Sequence, residues 1–351
     1  MRKLIRAGSR LASRLRIIDG RVFFQSGRAT RSWSTTSNVP MAPHARQPRA
    51  KIYLTVFAWL RYRMGREITV DAVYVTPLHR FGNALHQLGN ASLVAHRAGA
   101  GNVILQRHDI FRNSVVFGEG QQLAFELPSS RKWWRGQAVL VGRFFWAEEF
   151  PGTCDEHKIM AALRGIGASV IDPDRVTVWG ANDLVIHVRS GDVFEKPAPF
   201  KYGQPPLSFY TLILSSTNWS RVVLVSEDRK NPVFDQLVQH CEKQGITCET
   251  FSGDLLADLH VLAGAKNLVV ATGSFGRAVI ACSRDIQAVY EFEHTGFLYP
   301  LPSGVLLHRV LYKTGQYRRD VLSHNWGNTA EQRTMMVSYP QSDLRWENSR
   351  K

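Results

Sequence analysis

The chain has 351 residues, 44% of them apolar, and a formal charge of +15. That length and apolar share exclude a disordered polypeptide and suffice for two globular domains or one large one; the charge favours anionic partners such as nucleotides, nucleic acid or acidic lipid without choosing among them. The excess is uneven, because residues 1–50 hold eleven Arg or Lys against a single acid, Asp19.

That basic, Ser-rich start has the composition of an organellar transit peptide over residues 1–40, or of a disordered basic tail, or of sequence preceding a true start at Met41. The next apolar run, Tyr53 to Leu60, is flanked by Lys51, Arg61, Arg63 and Arg66, so residues 51–66 read as a membrane-surface helix with basic anchors or as a first core strand. No window reaches the ~20 apolar residues that span a bilayer. From 70 the pattern is a strand to 75, a Pro-Leu-His-Arg loop, a helix opening near Gly82 with Phe81, Leu85, Leu88 and Ala95 on one face, Gly99 and Gly101 as terminators, and another strand. Signals weaken between 111 and 170. The aromatics there, Trp133, Trp134, Phe144, Phe145 and Trp146, suit core packing better than an acceptor groove.

From Asp183 onward β-branched runs alternate with helices: 184–188, 221–226, 246–251, 267–272 and 286–292 read as strands. Asn231 and Pro232 open a helix that stops at Gly245; Ser252 to Asp254 cap another, carrying Leu255, Leu259 and Leu262, that stops at Gly264. Strand, helix, strand in this order implies right-handed crossovers, a parallel sheet and ligands at the carboxyl ends of its strands. Arg189, Ser226 to Asp228 and Thr272 to Gly276 fall at those ends. The expected division is a tail over 1–50, an α/β domain over 51–180, a Rossmann-like domain over 181–320 and an extension over 321–351.

Cys154, Cys241, Cys248 and Cys282 lack zinc-site spacing, and Cys241 to Cys248 is too wide for a CxxC redox pair, so buried free thiols and a reducing compartment are expected. The Asn-x-Ser matches at Asn90 and Asn218 then read as chance.

Taken singly, the chemistry-bearing residues have plain alternatives. Arg189, at a strand end beside Gly191, needs an anion, which is either a phosphate or Asp192. His187 inside an apolar strand is by default a hydrogen-bonded core histidine; Gly82 and Asn83 could merely begin a helix, Asp258 could be solvated, and 273–276 could be a simple turn. Asp172-Pro173-Asp174 is a turn signature or the cation site of a metal-dependent glycosyltransferase.

Three stretches together resemble the fucosyltransferase superfamily, in particular its α1,2-fucosyltransferase-like branch. "HRFGNALHQLGNASLVAHRAG" (79–99) is similar to the glycine-asparagine motif that opens its first helix; "IHVRSGD" (186–192) is similar to its His-x-Arg-x-Gly-Asp motif; "DLLADLHVLAGAKNLVVATGSFGRAVIACS" (254–283) resembles its third motif. The resemblance covers about 68–290. It implies an α/β fold of GT-B type with two Rossmann-like domains, and metal-independent, inverting transfer of a sugar, usually fucose, from a GDP-sugar to a glycan or polysaccharide hydroxyl, with no cofactor. It further implies that Arg189 binds the β-phosphate, that His187 contacts the donor, and that Arg80, Phe81, Gly82 and Asn83 form the other donor-binding segment. Asp258 would read guanine or ribose, and Ser274 and Phe275 would shape the phosphate and base pocket. A guanidinium fork suits a leaving diphosphate better than a lysine does. The sequence departs from the pattern at Ser190, where many relatives carry a second arginine, and at Ala84, where a glutamine is usual, which weakens the case for GDP-fucose itself.

The acceptor proton needs a base. Asp192 is the candidate by position, with a turn-capping or Arg189-pairing role as its alternative; His79, Glu195 and Glu148 are others. The expected location is cytoplasmic or peripheral to a membrane, or organellar if 1–40 is a transit peptide. The competing readings are a non-catalytic glycan- or nucleotide-binding protein of the same fold and the metal-dependent enzyme using Asp172 and Asp174. No specific nucleic-acid module is recognisable, and no GxGxxG follows a strand as a dehydrogenase would require.

Overall fold

The computed structural model describes residues 14–18, 21–25, 53–54, 70–75, 80–105, 110–111, 115–117, 123–126, 139–144, 156–293, 301–322 and 325–347. The chain divides into two compact units, Met1–Gly165 and Ile166–Lys351. That division falls inside a helix.

In the first unit, β1 (Arg14–Ile18) and β2 (Arg21–Gln25) pair as an antiparallel hairpin within the basic arm. A six-stranded sheet has the order β3 (Tyr53–Leu54), β8 (Val139–Gly142), β4 (Ala72–Val75), β5 (Asn102–Leu105), β7 (Leu123–Glu126), β6 (Val115–Phe117). Its inner four strands run parallel, and β3 and β6 are antiparallel edges. Tyr53 and Leu54 are thus strand residues, and 55–66 lie outside the described residues.

Helix α1 (Phe81–Ala98) connects β4 to β5. Between Phe81 and Ala95 every residue except Asn83 is buried, so this helix is enclosed on all sides rather than amphipathic. Its polar members find partners. Ser92 Oγ donates to the Leu88 carbonyl at 2.8 Å, Gln87 Nε2 to that of Arg143 at 2.7 Å, and Asn90 Nδ2 to that of Phe144 at 2.9 Å. Phe144 is itself fully buried with φ 50°, a core residue as expected; Trp133, Trp134, Phe145 and Trp146 lie outside the described residues. The Asn90 sequon is buried inside this helix. Gly99 ends α1 at φ 69°, where a side chain would be strained.

The second unit holds a seven-stranded sheet in the order β11 (Thr247–Phe251), β10 (Arg221–Val225), β9 (Asp183–His187), β12 (Asn267–Val269), β13 (Ala288–Phe292), β14 (Leu306–Tyr312), β15 (Leu344–Trp346). All pairs are parallel except β14 with β15. The chain starts at the centre, winds outward through β10 and β11, then returns to β12 on the other side of β9. This is the 3-2-1-4-5-6 order of the doubly wound Rossmann sheet, with its switch point between β9 and β12. The helices are α2 (Glu156–Val170), which spans the division, then α3 (Leu207–Leu214), α4 (Val233–Gln244), α5 (Leu255–Ala263), α6 (Ser274–Cys282), α7 (Gln316–Asp320) and α8 (Ala330–Ser338).

Local sequence explains the helix ends. Asn231 Oδ1 accepts the Val233 amide at 3.0 Å ahead of α4, and Gly245 closes that helix at φ 67°. Asp254 accepts the Ala257 amide at 2.8 Å and starts α5. Leu259 and Leu262 face the core while Leu255 is exposed. Residues 321–347 are integral to this unit. Trp326 is 1% exposed, its Nε1 donates to the Val193 carbonyl at 2.7 Å, and β15 extends the sheet. A chain of charges, buried at Arg277 and Glu291 and exposed at Glu347, ties the same region together: Arg309 bonds both Glu291 and Glu347 at 2.6 Å, and Arg277 lies 3.7 Å from Glu291.

Among the described residues, no helix is long and apolar enough to cross a membrane.

Candidate functional site

β9 is buried along its whole length, so its apolar run is dictated by packing on both faces. Past its end the chain leaves the sheet through Arg189, Ser190 and Gly191. Gly191 has φ 67°, a conformation that favours glycine, and a Cβ there would lie 2.1 Å from the movable end of Glu227, at Oε2. Glu227 follows β10, which places the carboxyl ends of two strands in contact.

Arg189 sits at the switch point with its side chain 19% exposed. Nη2 donates to Asp192 Oδ1 at 2.8 Å, while Nε is buried without a partner. The guanidinium carbon is 5.8 Å from the centre of the Tyr202 ring. Its carbonyl is fixed by Asn231 Nδ2 at 2.9 Å. On the β12 side, Gly273 precedes α6 with φ 137° and ψ 177°, a region open to glycine, and a Cβ there would lie 3.6 Å from Arg189 Nη1. α6 has neither a side-chain cap nor an acid in its first turn. A cation with a spare donor therefore stands beside an uncapped helix amino terminus, two features that both favour an anion.

His187 is 8% exposed and its Nδ1 has no partner, so it is a core histidine without the hydrogen bond that such a residue ordinarily makes. Its ring meets Phe275 edge-on at 5.2 Å, and a Cβ on Gly276 would lie 3.7 Å from Nδ1. Burial first, and the charge of Arg189 second, push its pKa down to about 3, so the ring is neutral at physiological pH. Ser274 and Phe275 are half-buried in the first turn of α6.

Asp258 lies in the first turn of α5, 9% exposed, and accepts the Gly253 amide at 3.0 Å. Burial raises its pKa to about 6 against that hydrogen bond, with the charges of Asp254 and Glu227 adding to the rise. It is therefore a buried carboxyl, not a solvated one.

Ser190 is buried; its hydroxyl donates to Asp228 Oδ1 and accepts the Asn231 amide at 3.1 Å. Burial would raise the Asp228 carboxyl, but hydrogen bonds from Ser190, Lys230 and the Gly191 amide outweigh it and bring it to about 2. Ser190, where the resemblance leads one to expect a second arginine, thus ties the loop after β9 to the loop between β10 and α4. Glu195 is exposed and accepts from Lys230 Nζ at 2.7 Å. His79 and Glu148 lie outside the described residues.

Arg80, Phe81, Gly82 and Asn83 belong to the first unit. Arg80 is exposed ahead of α1, Phe81 is buried and stacks on Phe111 at 6.1 Å, Gly82 is buried and Asn83 half-buried. Asp172 accepts the Asp174 amide at 3.1 Å, lies 3.5 Å from Arg175 and starts a short 3-10 turn. Its own amide donates to His260 of α5, and the chain then enters β9 at the end opposite Arg189. Among the described residues, no group of three or more His, Cys, Asp or Glu is arranged to hold a metal ion.

Sequence reasoning missed Tyr202 and Gln204. Gln204 is fully buried, its Nε2 donating to the carbonyls of Tyr202 at 2.8 Å and Thr272 at 3.3 Å, which pins this loop to the end of β12. The signal was Gly203 followed by Gln-Pro-Pro: a Cβ on Gly203 would lie 2.2 Å from the Val321 carbonyl oxygen.

No protein-family model matches the chain, and no curated protein matches it. Among solved structures it is similar to POFUT1 in complex with GDP, at 10% identity and a TM-score of 0.37, covering 64% of this chain and 98% of that one. It is also similar to the E. coli ADP-heptose lipopolysaccharide heptosyltransferase II, at 16% identity and a TM-score of 0.26, covering 73% of this chain and 70% of that one.

Proposed function

We propose that the chain is a glycosyltransferase of GT-B type whose second unit binds the diphosphate of a nucleotide-sugar, a GDP-sugar, with fucose as the sugar the sequence resemblance favours and a glycan hydroxyl as acceptor. The observation that carries this reading is the placement of Arg189 at the switch point of a Rossmann-ordered sheet, its buried Nε without a partner beside the uncapped start of α6. A leaving diphosphate gains charge in the transition state, and a fixed guanidinium with helix amides stabilises that charge more than the ground state. In this reading Asp192 orients the guanidinium and is the candidate proton acceptor. The neutral His187 and half-buried Ser274 and Phe275 border the donor, and Asp258 accepts from guanine or ribose. The roles that the resemblance gives to Arg80, Gly82 and Asn83 are tested separately, by Asn83→Ala.

A second reading is favoured by the Arg189–Asp192 pair, which already neutralises the cation: a nucleotide- or glycan-binding protein without turnover. Calorimetric titration with GDP, UDP and ADP, with and without magnesium, followed by sugar-transfer assays, separates the two. Selective, magnesium-independent GDP binding supports the proposal. Binding without transfer to any offered acceptor supports the second reading, and UDP binding that needs magnesium overturns the donor assignment.

A further inference from the structure

The α4–β11 corner joins two cysteines that sequence spacing alone would leave unrelated. α4 ends at Gln244, Gly245 turns the chain at φ 67°, and β11 begins at Thr247. The Ile246 amide donates to the Cys241 carbonyl at 2.9 Å, which folds the strand's start back against the helix's last turn. Cys241 is fully buried in the core, Cys248 is half-buried and packs against the same core cluster, and both are free thiols. Each thiol acts on the other: that interaction, helped by burial, holds the proton on Cys241, and it lowers Cys248 below the usual thiol range.

We propose that Cys241 and Cys248 form an oxidisable dithiol, a modification site that hydrogen peroxide converts to an intramolecular disulfide across this corner. Cys248 is the more exposed residue of the two, and as thiolate it attacks one peroxide oxygen. The O–O bond breaks, the sulfur is oxidised to a sulfenic acid, and the other oxygen takes a proton and leaves as water. The Cys241 sulfur then displaces hydroxide from Cys248, its thiol proton accompanying that hydroxide as a second water. A dithiol reductant returns both thiols by exchange while becoming a disulfide itself.

The test treats the full-length protein with a small excess of hydrogen peroxide, blocks remaining thiols with iodoacetamide in denaturant, and maps peptides without reduction. The expected product is a linked Cys241–Cys248 peptide, lighter by two hydrogens than the dithiol and restored by dithiothreitol. Cys282, whose thiol burial pushes up to about 12, should stay alkylatable. Cys248→Ser should leave Cys241 alkylatable, and in Cys241→Ser the Cys248 sulfenic acid should be trapped by dimedone. Oxidation of Cys248 in the unsubstituted protein while Cys241 remains a free thiol would overturn the proposal, as would a bridge between molecules or oxidation of Cys282 ahead of the pair.

Discussion

Arg189→Ala tests the candidate site most directly. The guanidinium spends Nη2 on Asp192, and its Nε has no partner. Charge-assisted hydrogen bonds contribute about 1.5–3 kcal/mol each, and the ligand must share the cation with Asp192, so a net loss of about 2–4 kcal/mol follows from removing it. At about 1.4 kcal/mol per tenfold, GDP affinity should fall roughly 30- to 700-fold. Stability should move little, because the freed Asp192 side chain is 35% exposed and such pairs are worth about 0–1 kcal/mol. Arg189→Lys keeps the charge without the planar fork and should recover less than half of the lost binding energy. Isothermal titration reads the affinity, and a thermal melt of each variant confirms folding. A folded Arg189→Ala protein that binds GDP within threefold of the parent would refute the assignment of Arg189 to the diphosphate.

Four further outcomes follow from the geometry. Gly203→Ala and Gly264→Ala place a Cβ 2.2 and 2.0 Å from the backbone carbonyls of Val321 and Thr177, which cannot swing aside, and should each cost about 3 kcal/mol in urea unfolding. Gly191→Ala meets only the movable end of Glu227 and should cost about 1–2 kcal/mol, chiefly for its positive φ, with Glu227→Ala recovering the smaller steric part. Asp258 has a folded pKa near 6 against an unfolded value of about 3.9, so its stabilising contribution is complete below about pH 4 and is lost as pH rises through 6. Asp258→Asn should therefore stabilise by on the order of 2 kcal/mol at pH 7.5 and by little at pH 4, and a pH-independent difference would contradict the burial assigned to that carboxyl. Trp326→Ala should cost about 3–5 kcal/mol, since it empties a buried site and strands the Val193 carbonyl; a loss under about 1 kcal/mol would make 321–347 an appendage.

The second unit was largely legible in its sequence. A central parallel strand is apolar on both faces, so Leu184 to Val188 and Arg221 to Val225 announce themselves without context, and Asn231, Gly245, Asp254 and Gly264 punctuate helices through bonds made within a few residues. The first unit was less legible. β6 and β7 span only 115–117 and 123–126, too short for a period to emerge, and α2 over 156–170 ends without a basic residue or a readable cap. The enclosed helix α1 hid its polar contacts for a related reason: Gln87 and Asn90 are satisfied by carbonyls of residues 143 and 144, far along the chain.

Arg189, Gly191 and the Gly273 turn could be picked out in the sequence because a cation at a strand end and glycines at turns carry local chemical sense. Their meeting could not, since strand order alone places β12 against β9 and thereby brings Gly273 beside the guanidinium. The same holds for Asp192 paired with Arg189, for Ser190 bonded to Asp228, and for the thiols of Cys241 and Cys248. Hydrophobic patterning and capping are short-range and so are written in the sequence itself, whereas which polar atoms are matched, or left without a match, depends on contacts that exist only once the sheet has closed.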